Sequence, residues 1–270
     1  MVLAVIPYPR IDPVLVEIGP LALRWYALAY VAALLAGWGL ARALLRRDHL
    51  WGAVARPPVA AIDDLLVYAA FGVVLGGRLG YVLFYDPWTY LAHPDQIFAV
   101  WKGGMAFHGG LLGASLGIWL FARRHHVSGL VAADLCAAVA PLGLGLGRVA
   151  NFIKPELWGR PSDVPWAMVF PDAGPLPRHP SQLYEAFSEG VLLYILLHLA
   201  IRMGALRRPG LVAGLFGVGY GVARIACEFF REPDPQLGFL FGGATMGMLL
   251  SLPLILAGLV FLAVSRLRAA

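Results

Sequence analysis

The stretch GLVAADLCAAVAPLGLGLG, from Gly129 to Gly147, is apolar over a length sufficient to cross a lipid bilayer as an α-helix. It leads into GRVANFIKPELWGRP, which places Arg148, Asn151 and Glu156 at the end of the apolar run. A charged side chain at the edge of a membrane segment is costly unless it faces protein, water or a ligand. Arg148 and Asn151 are three residues apart, so a helix presents them on one face. We therefore expect a functional site at this end of the segment.

The composition of the whole chain favours a polytopic membrane protein. Only 14% of its 270 residues are charged, whereas soluble domains carry about 25%. Apolar stretches of about 20 residues recur along it, which disfavours the alternative of one large soluble core. The net charge of +5 does not indicate nucleic-acid binding, because arginines dispersed among apolar segments supply most of the basic residues. Cys136 and Cys227 lie inside apolar runs, which predicts neither a disulfide nor a metal site.

The apolar stretches predict an all-α fold of about seven transmembrane helices, in a single integral-membrane domain covering residues 1–270. The predicted spans are Leu21–Leu45, Leu65–Tyr85, Met105–Phe121, Gly129–Phe152, Gln182–Ile201, Leu211–Phe230 and Phe239–Val264. Prolines and an aspartate interrupt the first twenty residues, which is unlike a signal peptide, so the first span is expected to serve as the targeting signal.

Basic clusters predict the orientation of these spans. Spans one, three, five and seven all end in arginines, and positive loops stay in the cytoplasm. The clusters are Arg42/Arg46/Arg47, Arg123/Arg124, Arg202/Arg207/Arg208 and Arg266/Arg268. The N-terminus is then outside and the C-terminus inside. The proline-rich segment at about residues 154–180 is expected to form an ordered arm over the outer membrane surface.

Ten basic residues remain on the outer side, where this tendency predicts few. Several of them sit at or inside span ends, and as a set they indicate an anionic ligand at the outer leaflet. Snorkelling of single side chains to the interface is the alternative. The ten are Arg10, Arg24, Arg78, Lys102, Arg148, Lys154, Arg160, Arg178, Arg224 and Arg231.

The outer start of span three reads Phe107-His108-Gly109-Gly110. The two glycines permit a close approach to the backbone, and amides at a helix N-terminus attract anions. A histidine at this position is suited to accept a proton, and we predict this role for His108. A purely structural histidine is the alternative and stays open.

The outer end of span six carries Tyr220, Arg224 and Glu228 at steps of four, followed by Arg231. These steps predict that the first three share one helix face. Arginine binds phosphate in a bidentate way that lysine cannot reproduce. Glu228 is either part of a binding site or a counter-ion for one of the arginines.

Other classes of function find less support. HExxH and Gly-x-Ser-x-Gly are absent from the sequence, which removes the usual zinc-protease and serine-hydrolase patterns. A transporter or channel for an anionic solute predicts polar residues in both leaflets and often repeated halves. Here the polar motifs crowd the outer half and no internal repeat is found. An intramembrane protease would need catalytic pairs that the spans lack.

Seven blocks in order along nearly the whole chain resemble the prolipoprotein diacylglyceryl transferase family of bacterial inner membranes. They are RWY (24–26), GGRLGYVLFY (76–85), HGGL (108–111), GRVANF (147–152), ELWGR (156–160), RHPSQLYE (178–185) and EFFREPD (228–234). The family signature runs G-R-x-x-N-F-x-N-x-E-x-x-G. Lys154 stands where the family usually has asparagine, and Pro155 follows it.

The resemblance implies the first step of bacterial lipoprotein maturation. In this step the diacylglyceryl group of phosphatidylglycerol moves to the lipobox cysteine thiol of a preprolipoprotein, forming a thioether and releasing glycerol phosphate. It implies a site on the periplasmic side, with no metal or organic cofactor. The oligomeric state stays open.

The resemblance also assigns roles to the matching residues. His108 is expected to be the base, and Arg148 and Arg224 are expected to bind the phosphate. Tyr26, Asn151 and Glu156 are expected to position the lipid and the arginines. Further substrate-binding residues are expected to be Gly109, Gly110, Gly159, Tyr220, Glu228 and Arg231.

Overall fold

The computed structural model describes residues 6–9, 11–19, 21–233 and 238–267. The described chain is mostly helical, as the sequence predicts. In chain order the α-helices are α1 (Trp25–Leu45), α2 (Asp48–Trp51), α3 (Ala61–Phe84), α4 (Pro87–Ala92), α5 (Phe107–Arg124), α6 (Gly129–Ile153), α7 (Ser181–Glu185), α8 (Leu193–Arg202), α9 (Leu211–Glu228) and α10 (Met246–Leu267). Short 3-10 turns lie at Pro94–Phe98, Val100–Lys102, Ala205–Arg207 and Phe241–Gly243.

Within the described part of the chain, six helices are long and apolar enough to cross a membrane. They are α1, α3, α6, the continuous helix Ser181–Arg202, α9 and α10. The helix Ser181–Arg202 consists of α7, a π-helical stretch (Ala186–Leu192) and α8. The third predicted span corresponds to α5, which is not among the six. Glycines, His108 and two terminal arginines make α5 less apolar than the others.

The start of the first predicted span is wrong. Leu21 to Arg24 is a β-strand, β3, and α1 begins only at Trp25. β3 pairs antiparallel with β2 (Val14–Ile18), and the connection turns at Gly19, whose φ of +60° suits glycine. Pairing in this hairpin satisfies the backbone groups that a longer helix would otherwise have bonded.

A second small sheet also departs from the all-α expectation. β1 (Ile6–Pro7) pairs in parallel with β4 (Met168–Val169), which lies in the predicted arm. Tyr8 packs beside this sheet with Phe152 and Phe170, and its hydroxyl donates to the carbonyl of Ile153 at 3.1 Å. The N-terminal segment and the arm therefore form one layer over the C-terminal end of α6.

Helices α3 and α5 pack closely through glycines. A Cβ on Gly76 would lie 2.3 Å from the Gly109 carbonyl oxygen, and one on Gly113 would lie 2.0 Å from that of Gly72. Only glycine permits such an approach of two backbones, which is a common way for membrane helices to associate. α5 consequently runs alongside the membrane-length helix α3.

Three of the four predicted basic clusters lie at one end of the helix bundle. The contacts that join them are Arg42 with Asp63 (3.2 Å), His125 with Asp64 (2.9 Å), and Arg207 with the His49 carbonyl oxygen (2.9 Å). In the fourth cluster, Arg268 lies outside the described residues. The largest apolar core, which includes Trp51, Phe121 and Leu206, sits towards this end.

Candidate functional site

Towards the opposite end, three arginines and three glutamates from α6, Ser181–Arg202 and the end of α9 form one cluster of ion pairs. Its members are Arg148, Arg224, Arg231, Glu185, Glu189 and Glu228. Glu185 and Glu189 are completely buried. A buried carboxylate without a partner is very costly, and the arginines supply the partners here.

Arg148 is held by two of these carboxylates. Its Nη1 lies 3.2 Å from Oε2 of Glu185, and its Nε and Nη2 each lie 3.2 Å from Oε2 of Glu189. Each terminal nitrogen of a guanidinium carries a second N–H. Arg148 is therefore fixed in place and still has donors for another partner.

Arg224 on α9 and Arg231, three residues beyond the end of α9, meet the same carboxylates. Arg224 bonds to Glu185 and Glu228, and Nη1 of Arg231 lies 3.3 Å from Oε1 of Glu185. Glu185 thus touches all three arginines. Glu228 pairs with Arg224 and also accepts a hydrogen bond from the hydroxyl of Thr245. Whether it is a counter-ion alone or also a binding residue stays a prediction.

Glu185 and Glu189 are four residues apart where the π-helical stretch begins, so they share one helix face and both reach the arginines. π-bulges are rare and frequently occur at functional sites. Next to Glu189, Gly190 packs directly on Gly145 of α6, where an added Cβ would lie 2.6 Å from the Gly145 Cα. This close approach brings Glu189 to Arg148.

Two cavities meet at Arg148. The first, called here the charge-lined cavity, has a volume of about 270 Å³ and is lined by all three arginines together with Tyr220, Glu228 and Thr245. The second, called here the apolar groove, has a volume of about 650 Å³ and runs between α1 and α6. Arg148 and Leu157 line both. Leu157 has a φ of +57°, an uncommon conformation for leucine, and such strain clusters at functional sites.

Several predicted residues lie on these two cavities. Tyr26 and Asn151 line the apolar groove, and Tyr220 lines the charge-lined cavity. Asn151 donates to Oε1 of Glu156 at 2.8 Å. Lys154, which departs from the family pattern, lies 2.6 Å from the other oxygen of Glu156. Lys154 thus places a positive charge beside the carboxylate of Glu156, to which Asn151 donates.

Gly159 closes the arm onto the end of α9. An added Cβ would lie 2.5 Å from the His179 carbonyl oxygen and 2.6 Å from that of Phe230. The neighbouring Arg160 donates to the carbonyls of Arg231 and Glu228 at 2.9 and 3.0 Å. The arm therefore fixes the chain segment that carries two of the cluster residues.

His108 stands apart from both cavities. Its side chain is exposed at the start of α5, and among the described residues it lines neither the charge-lined cavity nor the apolar groove. Gly109 packs against α3, with a notional Cβ 2.2 Å from the Gly76 carbonyl oxygen, whereas Gly110 makes only ordinary contacts. The roles of His108, Gly109 and Gly110 towards a substrate stay predictions.

Six of the arginines predicted on the outer side divide into two groups. Arg10 lies outside the described residues. Arg78 and Arg178, like Arg160, donate to backbone carbonyls and so hold loops; Arg78 binds those of Gln96 and Gly103, each at 2.6 Å. Arg148, Arg224 and Arg231 instead gather in the cluster. Of the described outer arginines, these three carry the interpretation of an anionic ligand.

The sequence prediction missed Glu185 and Glu189 as site residues. Both lay inside a predicted span, where a carboxylate is costly and usually functional, so the signal was present. Gly247 was also missed, although a Cβ there would lie 2.4 Å from Oε1 of Glu228. Only the packing of α10 on α9 gives that glycine its importance.

Comparison with known proteins gives a consistent result. A sequence profile described as "Prolipoprotein diacylglyceryl transferase" matches residues 13–264. The phosphatidylglycerol–prolipoprotein diacylglyceryl transferase of Methylocella silvestris is 68% identical, over 96% of this chain and 95% of its own length. Those of Beijerinckia indica and Nitrobacter winogradskyi are 66% and 57% identical, over 93% and 94% of this chain and 93% and 88% of their own lengths.

Proposed function

The chain belongs to the prolipoprotein diacylglyceryl transferase family, and from that premise we propose that it transfers the diacylglyceryl group of phosphatidylglycerol to the lipobox cysteine thiol of a preprolipoprotein. The names of its relatives supply the two substrates. Glycerol phosphate is the leaving group, and the product is a thioether.

The observation that carries this proposal is the position of Arg148 between the charge-lined cavity and the apolar groove. Phosphatidylglycerol likewise has a polar part and an apolar part, because a phosphodiester joins its headgroup to the diacylglyceryl group. A lipid with its phosphate at Arg148 would place its headgroup among the arginines and an acyl chain in the groove. The bond to be broken would then lie beside Arg148 and Leu157.

The cluster suits the charge that develops during transfer. The thiolate sulfur attacks the glyceryl carbon, a C–S bond forms, and the C–O bond to the phosphate breaks. The phosphodiester leaves as a monoester with one more negative charge. Arg148 and Arg224, already fixed by Glu185, stabilise that added charge more in the transition state than in the ground state.

The thiol must lose its proton to react, since a free cysteine has a pKa of about 8.5. We assign this step to His108, which lies at the outer start of α5. Tyr26 and Asn151 position the lipid from the apolar groove, and Glu156 orients Asn151. Gly109 and Gly110 pack towards α3 and so hold the start of α5, which carries His108. This assignment makes His108 act on the incoming thiol and leaves the phosphate to the arginines.

We propose seven transmembrane helices, with α5 as the one beyond the six that are apolar enough by themselves. The glycine contacts along α3 support this, because they keep α5 beside a membrane-length helix. The shared end of the basic clusters is then cytoplasmic, the N-terminus is periplasmic, and the site faces the periplasm of a bacterial inner membrane.

The direct test uses the purified full-length chain, phosphatidylglycerol in nanodiscs and a lipobox peptide. We expect the peptide to gain the mass of one diacylglyceryl group, while a peptide with serine in place of the cysteine gains none. Arg148→Ala, inserted at the wild-type level, should give no product. A wild-type enzyme that leaves the cysteine peptide unmodified would contradict the proposal.

A further inference from the structure

The apolar groove ends at Trp38 on its inner side. We propose that Trp38 closes the binding site for a fatty acyl chain of phosphatidylglycerol and sets the longest chain that the groove accepts. This inference deepens the proposed function and rests on it. It assigns a specificity-determining role to a residue that neither the motifs nor the ion-pair cluster includes.

The length of the groove matches an acyl chain. It runs along α1 from Tyr26 to Trp38 and along α6 from Asn151 back to Val139. Each of these stretches is about 18 Å long at 1.5 Å per residue. The hydrocarbon of one leaflet is about 15 Å thick, half of a typical bilayer core. A whole acyl chain starting near Arg148 therefore reaches the inner end of the groove.

The lining of the groove also fits a fatty acyl chain. Between its two ends the lining side chains are apolar, including Leu34, Leu66, Leu144 and Phe216, apart from the hydroxyl of Tyr30, which donates to that of Tyr26. Charge is supplied at the outer end alone, by Arg148. A hydrocarbon chain has no polar group that would require a partner along this path. Its carboxyl ester would lie at the polar end and its terminal methyl at Trp38.

Trp38 is held in position by two polar partners. Its Nε1 donates to Oδ1 of Asp63 at 2.6 Å, and the Arg42 guanidinium lies 4.6 Å from the centre of its ring. Arg42 also lies 3.2 Å from Asp63. Moving the ring to admit a longer chain would cost both contacts. These contacts hold the partly exposed indole in place, and it forms the floor of the groove at its inner end.

An ordinary interfacial tryptophan is the alternative, and the chain contains a matched control for it. Trp119 on α5 also has an arginine four residues later, and the Arg123 guanidinium lies 5.0 Å from its ring centre. Among the described residues, Trp119 does not line the groove. Trp38 and Trp119 thus share an interfacial environment and differ in their relation to the groove.

The test is an internal competition between two lipids. Full-length protein in phosphatidylethanolamine nanodiscs receives equal amounts of dipalmitoyl and dibehenoyl phosphatidylglycerol, and mass spectrometry gives the ratio of the two peptide products. This ratio does not depend on how much of a variant is folded. We expect the wild type and Trp119→Leu to favour the shorter chain by about tenfold, the size of effect that a misfit in an apolar pocket produces.

Trp38→Leu should reduce this preference to about twofold or less, because the floor is removed. Asp63→Ala removes the hydrogen-bond partner of Trp38 and should shift the product ratio in the same direction. If Trp38→Leu is inactive, the ratio measured with Asp63→Ala tests the role of Trp38. An unchanged ratio in these variants, an equal shift in Trp119→Leu, or no preference in the wild type would overturn the role of Trp38. Absence of any product from the wild type would instead overturn the proposed function, and this inference with it.

Discussion

Arg148 connects the electrostatics of the site to its shape. It is neutralised by Glu185 and Glu189 on one side and lines both cavities on the other. Fixed charges that need no rearrangement during the reaction are the most effective stabilisers of a developing anion. In the proposed mechanism the carboxylates are positioning residues, because they would act on the phosphate through Arg148 and Arg224.

Replacing Arg148 or Arg224 with lysine should lower turnover by about tenfold to a hundredfold, since a lost charged hydrogen bond costs about 1.5–3 kcal/mol. A lysine retains the charge and cannot donate through two nitrogens at once. Steady-state kinetics in nanodiscs, with insertion measured in parallel, provide the check. Near-wild-type turnover of either lysine variant would rule out bidentate binding at that position.

His108→Ala should lower the rate of the chemical step by about 10²–10⁴-fold if His108 is the base. The deficit should shrink as pH rises through the pKa of the thiol, about 8.5, because the thiolate then forms without help. The measurement is turnover against pH at saturating phosphatidylglycerol. Parallel profiles for wild type and variant would move His108 from proton transfer to lipid binding.

The sequence predicted the arginines more completely than their partners. Arg148, Arg224 and Arg231 follow from helical spacing and from the unexpected number of basic residues on the predicted outer side. The spacing of Glu185 and Glu189 places them on one face of a helix. It does not show that this face meets α6 and α9, which depends on how Ser181–Arg202 packs. Leu157 was beyond prediction for a similar reason, since its positive φ depends on the fold of the arm.

At the scale of elements, the contact between α6 and Ser181–Arg202 determines the geometry of the cluster. The backbones touch where Gly190 meets Gly145. Helix existence was predictable from apolar length, whereas the strand at Leu21–Arg24 was not, because its apolar residues suit either a span or a hairpin. Such ambiguity is expected for short apolar runs next to a turn.

Gly190→Ala should separate these two elements and destabilise the protein by about 1–3 kcal/mol, the usual result of overpacking. Activity should fall as well, because Glu189 moves away from Arg148. The matched control is Gly39→Ala, since a Cβ at Gly39 meets nothing within 4 Å. Thermal unfolding and product formation measured on both variants decide the point. Equal behaviour of the two would show that the close approach does not support the site.

At the scale of the molecule, one end of the bundle gathers basic clusters and the other gathers the ion-pair cluster and the arm. Reporter fusions after Arg47, Arg124 and Arg208 should all report the cytoplasm. The physical reason is the retention of positive loops on that side. A fusion after Trp101, on the opposite side of α5, is the control and should report the periplasm. One periplasmic signal among the first three would break the seven-span arrangement.

The central claim is that phosphatidylglycerol binds with its phosphate between Arg148 and Arg224 and an acyl chain in the apolar groove. An experimental structure of the full-length protein with bound phosphatidylglycerol tests it most directly. We predict phosphate oxygens within hydrogen-bond distance of both guanidinium groups, the glyceryl carbon beside Leu157, and acyl-chain density between α1 and α6. A phosphate bound away from both arginines, with the groove free of lipid density, would contradict the account.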